Sequence, residues 1–190
     1  MENKTNPFSY TDVRKLTYLA MLTALVVVLQ LWIAPLIGSA TGLSPALVLV
    51  PFVLGVASCG LGAGAWLGAV FSFIVLFDPT TTPFIDYNGF LTVLLVFTKG
   101  IGSAVLAGVV FKLLAKKNKY VAIFAAALSA PIFNTGIFVV GCILFFRELT
   151  GVGIYTLFTT LNFAVELAIN VVLVPAIYHL LEITHLLGDK

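Results

Sequence analysis

Charge is what this sequence has least of. Only 9% of its residues are Asp, Glu, Lys or Arg, whereas soluble domains carry about a quarter. That scarcity excludes an ordinary water-exposed globule, and 61% hydrophobic residues over 190 positions point to an integral membrane protein. Cysteine is nearly absent: Cys59 and Cys142 fall at opposite membrane faces in the topology read below, so neither a disulfide nor a metal site is expected from them. Catalytic signatures are missing as well. The chain has no HExxH, CxxC or GxSxG, and no GxxxxGK[ST] loop to hold a nucleotide. It is therefore read as a non-enzyme without a metal or cofactor of its own, and any ATP must be used by other subunits. The basic residues form no face of a folded polar domain, which argues against nucleic-acid binding. His179 and His185, at the end of the last apolar run, are expected to be solvated.

What is present is a series of long apolar runs. Six are read as spans of one transmembrane domain over 1–190, at about 15–33, 43–58, 61–77, 89–114, 120–146 and 155–178. Each approaches the roughly 20 residues that a bilayer requires except the second, which holds Pro45 and Pro51. The polar N-terminal segment lacks a cleavage site, so the first run is read as a retained span. Stretches rich in Pro, Gly and Thr read as loops, notably 34–42 and 78–88. Lys4, Arg14, Lys15, Lys112, Lys116, Lys117, Lys119 and Lys190 collect on one side, leaving Arg147 with Asp78, Asp86 and Glu148 on the other. The positive-inside rule then puts both termini in the cytoplasm. The fold class expected is all-α: a six-helix membrane bundle.

The last run, Tyr155 to Tyr178, carries Asn162, Glu166 and Asn170 four residues apart, so a helix stacks them on one face. A carboxylate in hydrocarbon is costly and by default faces the bundle interior at a functional site. Lys99 is the other charge deep inside a run, and both lie about 15 Å from the outer ends of their helices. Matched depth suggests one shared polar site; a plain buried ion pair joining two helices is the alternative. Run five contains Pro131-Ile-Phe-Asn134-Thr135-Gly136, where a proline frees a carbonyl and a kink is expected beside two polar side chains. Interrupted helices are a common way to build a midplane substrate site. Trp32, Trp66, Tyr87 and Tyr155 sit near run ends and read first as interfacial anchors; Trp32, Tyr87 and Tyr155 would also suit ligand stacking.

Small residues recur four apart in two runs: Gly60, Gly64, Gly68 and Ser72, then Gly100, Ala104 and Gly108. These ridges let helix backbones approach closely and are expected to serve packing inside the bundle. Run one has only Ala20 and Ala24, a pair that suits a partner subunit equally well.

Six short helices, cytoplasmic termini, the Ala20-Met-Leu-Thr-Ala24 pattern, and the segments Lys99-Gly100 and Pro131–Gly136 together resemble the S-component of an energy-coupling factor (ECF) transporter. The resemblance covers nearly the whole chain. It implies a substrate-binding subunit of an importer for water-soluble vitamins or related micronutrients in the bacterial plasma membrane. Ala20 and Ala24 would dock on a transmembrane coupling subunit that joins two cytoplasmic ATPases. The ligand would bind between helices four, five and six, beneath the outer loops, and ATP hydrolysis in the partners would topple the subunit to deliver it. The positions that the resemblance assigns to the site are Lys99, Asn134, Thr135, Asn162, Glu166 and Asn170. Lys99 and Arg147 would suit a carboxylate or phosphate, and Glu166 an amine or hydroxyls, provided that Lys99 and Glu166 do not pair with each other. The rival readings are a stand-alone facilitative or proton-coupled carrier with Glu166 as proton site, an intramembrane enzyme using Glu166 and Lys99, and a purely structural subunit.

Overall fold

The computed structural model describes residues 10–41, 46–150 and 154–183, without the side chains at 10–12, 41, 150 and 154–160. Helix α1, Tyr10–Val28, continues through a π turn, Leu29–Ile33, into α2, Ala34–Thr41. The short α3, Leu49–Cys59, and α4, Leu61–Val75, meet at Gly60, whose φ of 93° is open to glycine and strained for other residues. A 3₁₀ turn, Pro79–Thr81, leads into α5, Thr82–Ala115; then follow α6, Lys119–Phe145, the single turn α7, Arg147–Thr150, and α8, Ile154–Ile183. No strand occurs among the described residues.

Four stretches are long and apolar enough to cross a membrane: Val13–Ala40, Pro79–Ala115, Lys119–Phe145 and Leu161–Ile183. At 1.5 Å per residue, α3 and α4 are only about 16 and 22 Å long. Large apolar side chains such as Leu25, Phe73, Phe90, Leu94, Val140, Leu144 and Val172 point outward, as on a lipid-facing surface.

Two stretches read as loops are helical. The 34–42 stretch remains helix up to Thr41 because the π turn absorbs the proline: Ala34 N–H bonds back to the Leu29 carbonyl, one residue further than in an α-helix, and the ladder restarts around Pro35. The 78–88 stretch is helical from Thr82. Asp78 accepts the Thr80 amide at 2.9 Å and its hydroxyl at 2.7 Å, while Pro83 sits in the first turn, where no amide donor is needed. A break remains at Asn88, with φ −160° and ψ 97°, and the Asn88 Oδ1 caps the segment beyond it by accepting the Leu91 amide at 3.1 Å. Thr92 ties the break together, its hydroxyl lying 2.7 Å from the Phe84 carbonyl and 2.9 Å from that of Asn88.

Helix α3 is the central column. Eight consecutive residues, Leu49 to Val56, are buried, and a helix apolar on every side is stable only when surrounded. Helices α1, α4, α5, α6 and α8 surround it. Its C-terminal end lies beside the start of α1, where the Cys59 thiol approaches the Lys15 carbonyl at 3.7 Å.

Helices α4 and α5 approach backbone to backbone, and the small residues account for it. A Cβ on Gly68 would stand 2.5 Å from the Gly100 carbonyl oxygen and 2.8 Å from the Ile101 Cα. Ser72 crosses the same seam, its hydroxyl 2.7 Å from the Gly68 carbonyl and 3.0 Å from that of Val96. These ridges therefore serve close backbone approach, the usual driver of helix association where lipid competes for apolar contacts.

Following the helices, one end of the bundle gathers Lys15, Lys112, Lys116, Lys117 and Lys119, and the other holds Asp78, Asp86, Arg147 and Glu148. At the basic end, Lys119 pairs with Glu182 at 4.0 Å, and the Tyr120 hydroxyl lies 3.5 Å from His179 Nδ1. At the other end, the Tyr87 hydroxyl donates to Glu148 at 3.3 Å, joining α5 to α7. Lys4, His185 and Lys190 fall outside the described residues.

Candidate functional site

Helix α8 presents Asn162, Glu166 and Asn170 on one face, as four-residue spacing requires. Glu166 is 5% exposed and Asn170 fully buried, while Asn162 is half-buried one turn closer to Ile154. Glu166 lies about 18 Å along the helix from Ile154 and about 25 Å from Ile183, close to mid-span.

The neighbours of this carboxylate are donors. Its Oε1 accepts the Ala46 backbone amide at 2.9 Å, and its Oε2 accepts the Thr135 hydroxyl at 3.4 Å. The Asn134 side chain flanks the same group. Such a shell suits an ionised carboxylate, which can only accept. Because Ala46 precedes the buried column α3, Glu166 ties the start of that column to α8 and α6. Helix α3, 11 residues long, thus starts beside Glu166 and runs toward the basic end.

Two acceptors here have nothing to accept. The Oδ1 atoms of Asn134 and Asn170 are buried without a hydrogen-bond partner among the described residues. The other half of the Asn170 amide donates to the Glu166 carbonyl at 2.8 Å, which orients the side chain. Leaving a buried amide oxygen unmatched costs about 1–3 kcal/mol, and native structures contain few. Asn134 stands one turn beyond Pro131, in a helix that runs through the proline without a break. The proline removes the amide that would bond to the Ala127 carbonyl.

Lys99 lies at similar depth on α5, about 16 Å beyond the break at Asn88. It forms no salt bridge with Glu166. The direct ion pair weighed from the sequence is thus not formed. The Lys99 ammonium sits instead 4.8 Å from the Phe138 ring centroid and 5.6 Å from that of Phe71. Rings from α6 and α4 hold the cation inside the bundle, and cation–π contacts of this kind contribute about 0.5–2 kcal/mol each. No acceptor oxygen lies within hydrogen-bonding distance of the ammonium among the described residues.

From Phe138 an aromatic series leads toward the acidic end. Phe84 lies 6.0 Å from Phe138 and 5.2 Å from Phe146, and Tyr87 lies 5.8 Å from Phe146. Tyr87 is thereby engaged in this series and with Glu148. Trp32 is 75% exposed on the lipid-facing side, and Trp66 donates to the Thr23 hydroxyl at 3.1 Å, bracing α4 on α1. The Tyr155 side chain lies outside the described residues, and Arg147 is exposed on α7. Ala20 and Ala24 are both exposed on α1. A groove of about 530 Å³ opens between α5 and α6, lined by Leu94, Thr98, Ile132, Val140 and Leu144 among others. It offers one hydroxyl and neither charge, so it is a lipid-side feature distinct from the polar cluster.

The structure therefore gathers Asn134, Thr135, Glu166 and Asn170 into one cluster and sets Lys99 apart in an aromatic clamp. The Ala46 amide and the rings of Phe71 and Phe138 escaped the sequence. A backbone donor leaves no trace in residue types, and phenylalanine is too common here, at 16 residues, to single out. The chain matches the family model described as "ECF transporter, substrate-specific component" over residues 14–178. Comparison with curated proteins and with solved structures gave no match.

Proposed function

The chain belongs to the family of ECF transporter substrate-specific components, and from that premise we propose that it captures a small water-soluble vitamin or related micronutrient outside a bacterial cell and passes it inward. Components of this family are membrane transport subunits, not enzymes, and associate with an ECF module of a coupling subunit and ATPases. In the proposed reading the ligand meets Lys99, Asn134, Thr135, Asn162, Glu166 and Asn170, and ATP hydrolysis in the partners drives delivery. The observation that carries it is the cluster at Glu166: a buried mid-span carboxylate with two unmatched amide oxygens beside it. A bundle held together only for packing has no use for unsatisfied acceptors at that depth.

Further support comes from the surface. Ala20 and Ala24 are exposed on α1 beside Met21 and Leu25, which offers a partner helix a shallow apolar approach. The gathering of lysines at one end of the bundle favours six crossings with both termini inside, α3 and α4 forming the short second and third.

Uptake into proteoliposomes tests the reading. Accumulation that requires the coupling subunit, both ATPases and internal ATP is expected. Accumulation by this chain alone under a pH gradient would replace the reading with a proton-coupled carrier in which Glu166 is the proton site.

A further inference from the structure

The separation of Lys99 from Glu166 says what kind of molecule belongs between them, if the chain is a substrate-binding subunit as proposed above. Each charge is incomplete in its own way. The Lys99 ammonium carries three N–H donors and has two aromatic faces beside it, but no acceptor among the described residues. Ring faces offset only part of the cost of removing an ammonium from water, and the usual completion is an oxyanion. Around Glu166 the deficit has the opposite sign. Its carboxylate can take more than the Ala46, Thr135 and Asn134 donors beside it, and the Asn134 and Asn170 oxygens accept from no described residue. Asn134 and Asn170 are 4% and 0% exposed, so bulk water does not serve them. Among the described residues, one station lacks an acceptor and the other has more acceptors than donors.

We propose that the ligand is dipolar: a small molecule with a carboxylate or phosphate that meets the Lys99 ammonium and, at its other end, an ammonium or N–H group that meets Glu166, Asn134 and Asn170. Such a ligand bridges α5 to α6 and α8 with charge-assisted hydrogen bonds at both ends. The rings of Phe71 and Phe138 flank the anionic end and favour a planar or apolar midsection over a polyhydroxylated one. A neutral ligand leaves the ammonium unmet, and a purely cationic one adds repulsion at Lys99.

The test uses the full chain purified in detergent. Whatever small molecule it retains is released by heat and identified by mass spectrometry. Its binding is then measured by titration calorimetry, together with p-aminobenzoate, pyridoxamine phosphate, thiamine and riboflavin, on wild type, Lys99→Met and Glu166→Gln. The expected ligand carries both groups, and the carboxylate and phosphate probes tell which oxyanion it is. Lys99→Met is expected to weaken it about 10- to 100-fold. The same compound with its oxyanion masked as an amide or removed should bind wild type and Lys99→Met equally; Glu166→Gln should behave likewise toward the amine-acetylated form. Lys99→Gln repeats the comparison if the methionine variant does not elute as a single species. Tight binding of a neutral or purely cationic compound overturns the dipolar class while leaving the substrate-binding function standing. Equal losses for the acid and its amide in Lys99→Met make Lys99 a packing residue and also overturn it. A folded wild type that retains nothing and binds no probe overturns both.

Discussion

Replacing Gly68 by alanine puts one methyl group where the backbones of α4 and α5 meet. The new Cβ would stand 2.5 Å from the Gly100 carbonyl oxygen and 2.8 Å from both the Gly100 carbonyl carbon and the Ile101 Cα. None of these atoms can rotate away, since all belong to a helix backbone. Ordinary contact begins at 3.4 Å, so the two helices must part by roughly 1 Å along that line. Overpacking of this kind costs about 1–3 kcal/mol. The strained Ser72–Val96 hydrogen bond adds about 0.6 kcal/mol, the average for interhelical bonds in membranes. Alanine returns up to about 1 kcal/mol in helix propensity. The net expectation is a loss of about 0.6–2.6 kcal/mol, or roughly 1–10 °C in melting temperature. Gly62→Ala on the same helix is the control: no atom lies within 4 Å of the point where its methyl group would stand, so it should melt at or slightly above wild type. Both are read by heating the purified chain and following the monodisperse fraction by size-exclusion chromatography. Gly68→Ala melting level with Gly62→Ala would refute the close-packing argument. Lys99 adjoins Gly100, so ligand affinity should fall with stability in Gly68→Ala and stay constant in Gly62→Ala.

Ala20→Leu, at an exposed position, is expected to leave melting and ligand binding unchanged but to reduce ATP-dependent uptake by an order of magnitude or more; undiminished uptake removes the α1 face from partner docking. Glu166→Ala should cost about 2 kcal/mol more than Asn162→Ala, because it strands the Ala46 amide and the Thr135 hydroxyl while Asn162 is only half-buried; equal melting temperatures would contradict this. Asn118→Ala should cost about 1 kcal/mol, since the Asn118 Oδ1 accepts the Tyr120 and Val121 amides at 2.9 and 3.2 Å and caps α6. Thermal melts check it, and an unchanged melting temperature rejects the cap.

Where polarity stood out against an apolar background, the sequence was legible. Glu166, Asn170 and Asn134 are conspicuous in their runs, and helical periodicity alone set the α8 residues on one face. The glycine ridges were readable for a similar reason, because small residues at four-residue intervals have few uses in a membrane other than close approach. Proline and threonine misled. Pro35 and Pro83 resemble loop formers, yet a π turn accommodates the first and a helix start the second, and neither compensation is visible in local composition. Equal depth made a Lys99–Glu166 pair plausible, but depth along an axis says nothing about azimuth. Lys99 instead points between Phe71 and Phe138, a choice made by tertiary packing.

The bond from Ala46 to Glu166 has one more consequence. The chain supplies its own occupant for half of that carboxylate, at an effective concentration that no dissolved molecule matches. An incoming donor takes the lone pairs that this amide leaves open, on a carboxylate the amide already holds in place, so measured affinity includes a preorganisation that the solute does not supply. Substitutions near Ala46 that slacken the tether should therefore loosen solute retention without altering a single atom that the solute touches.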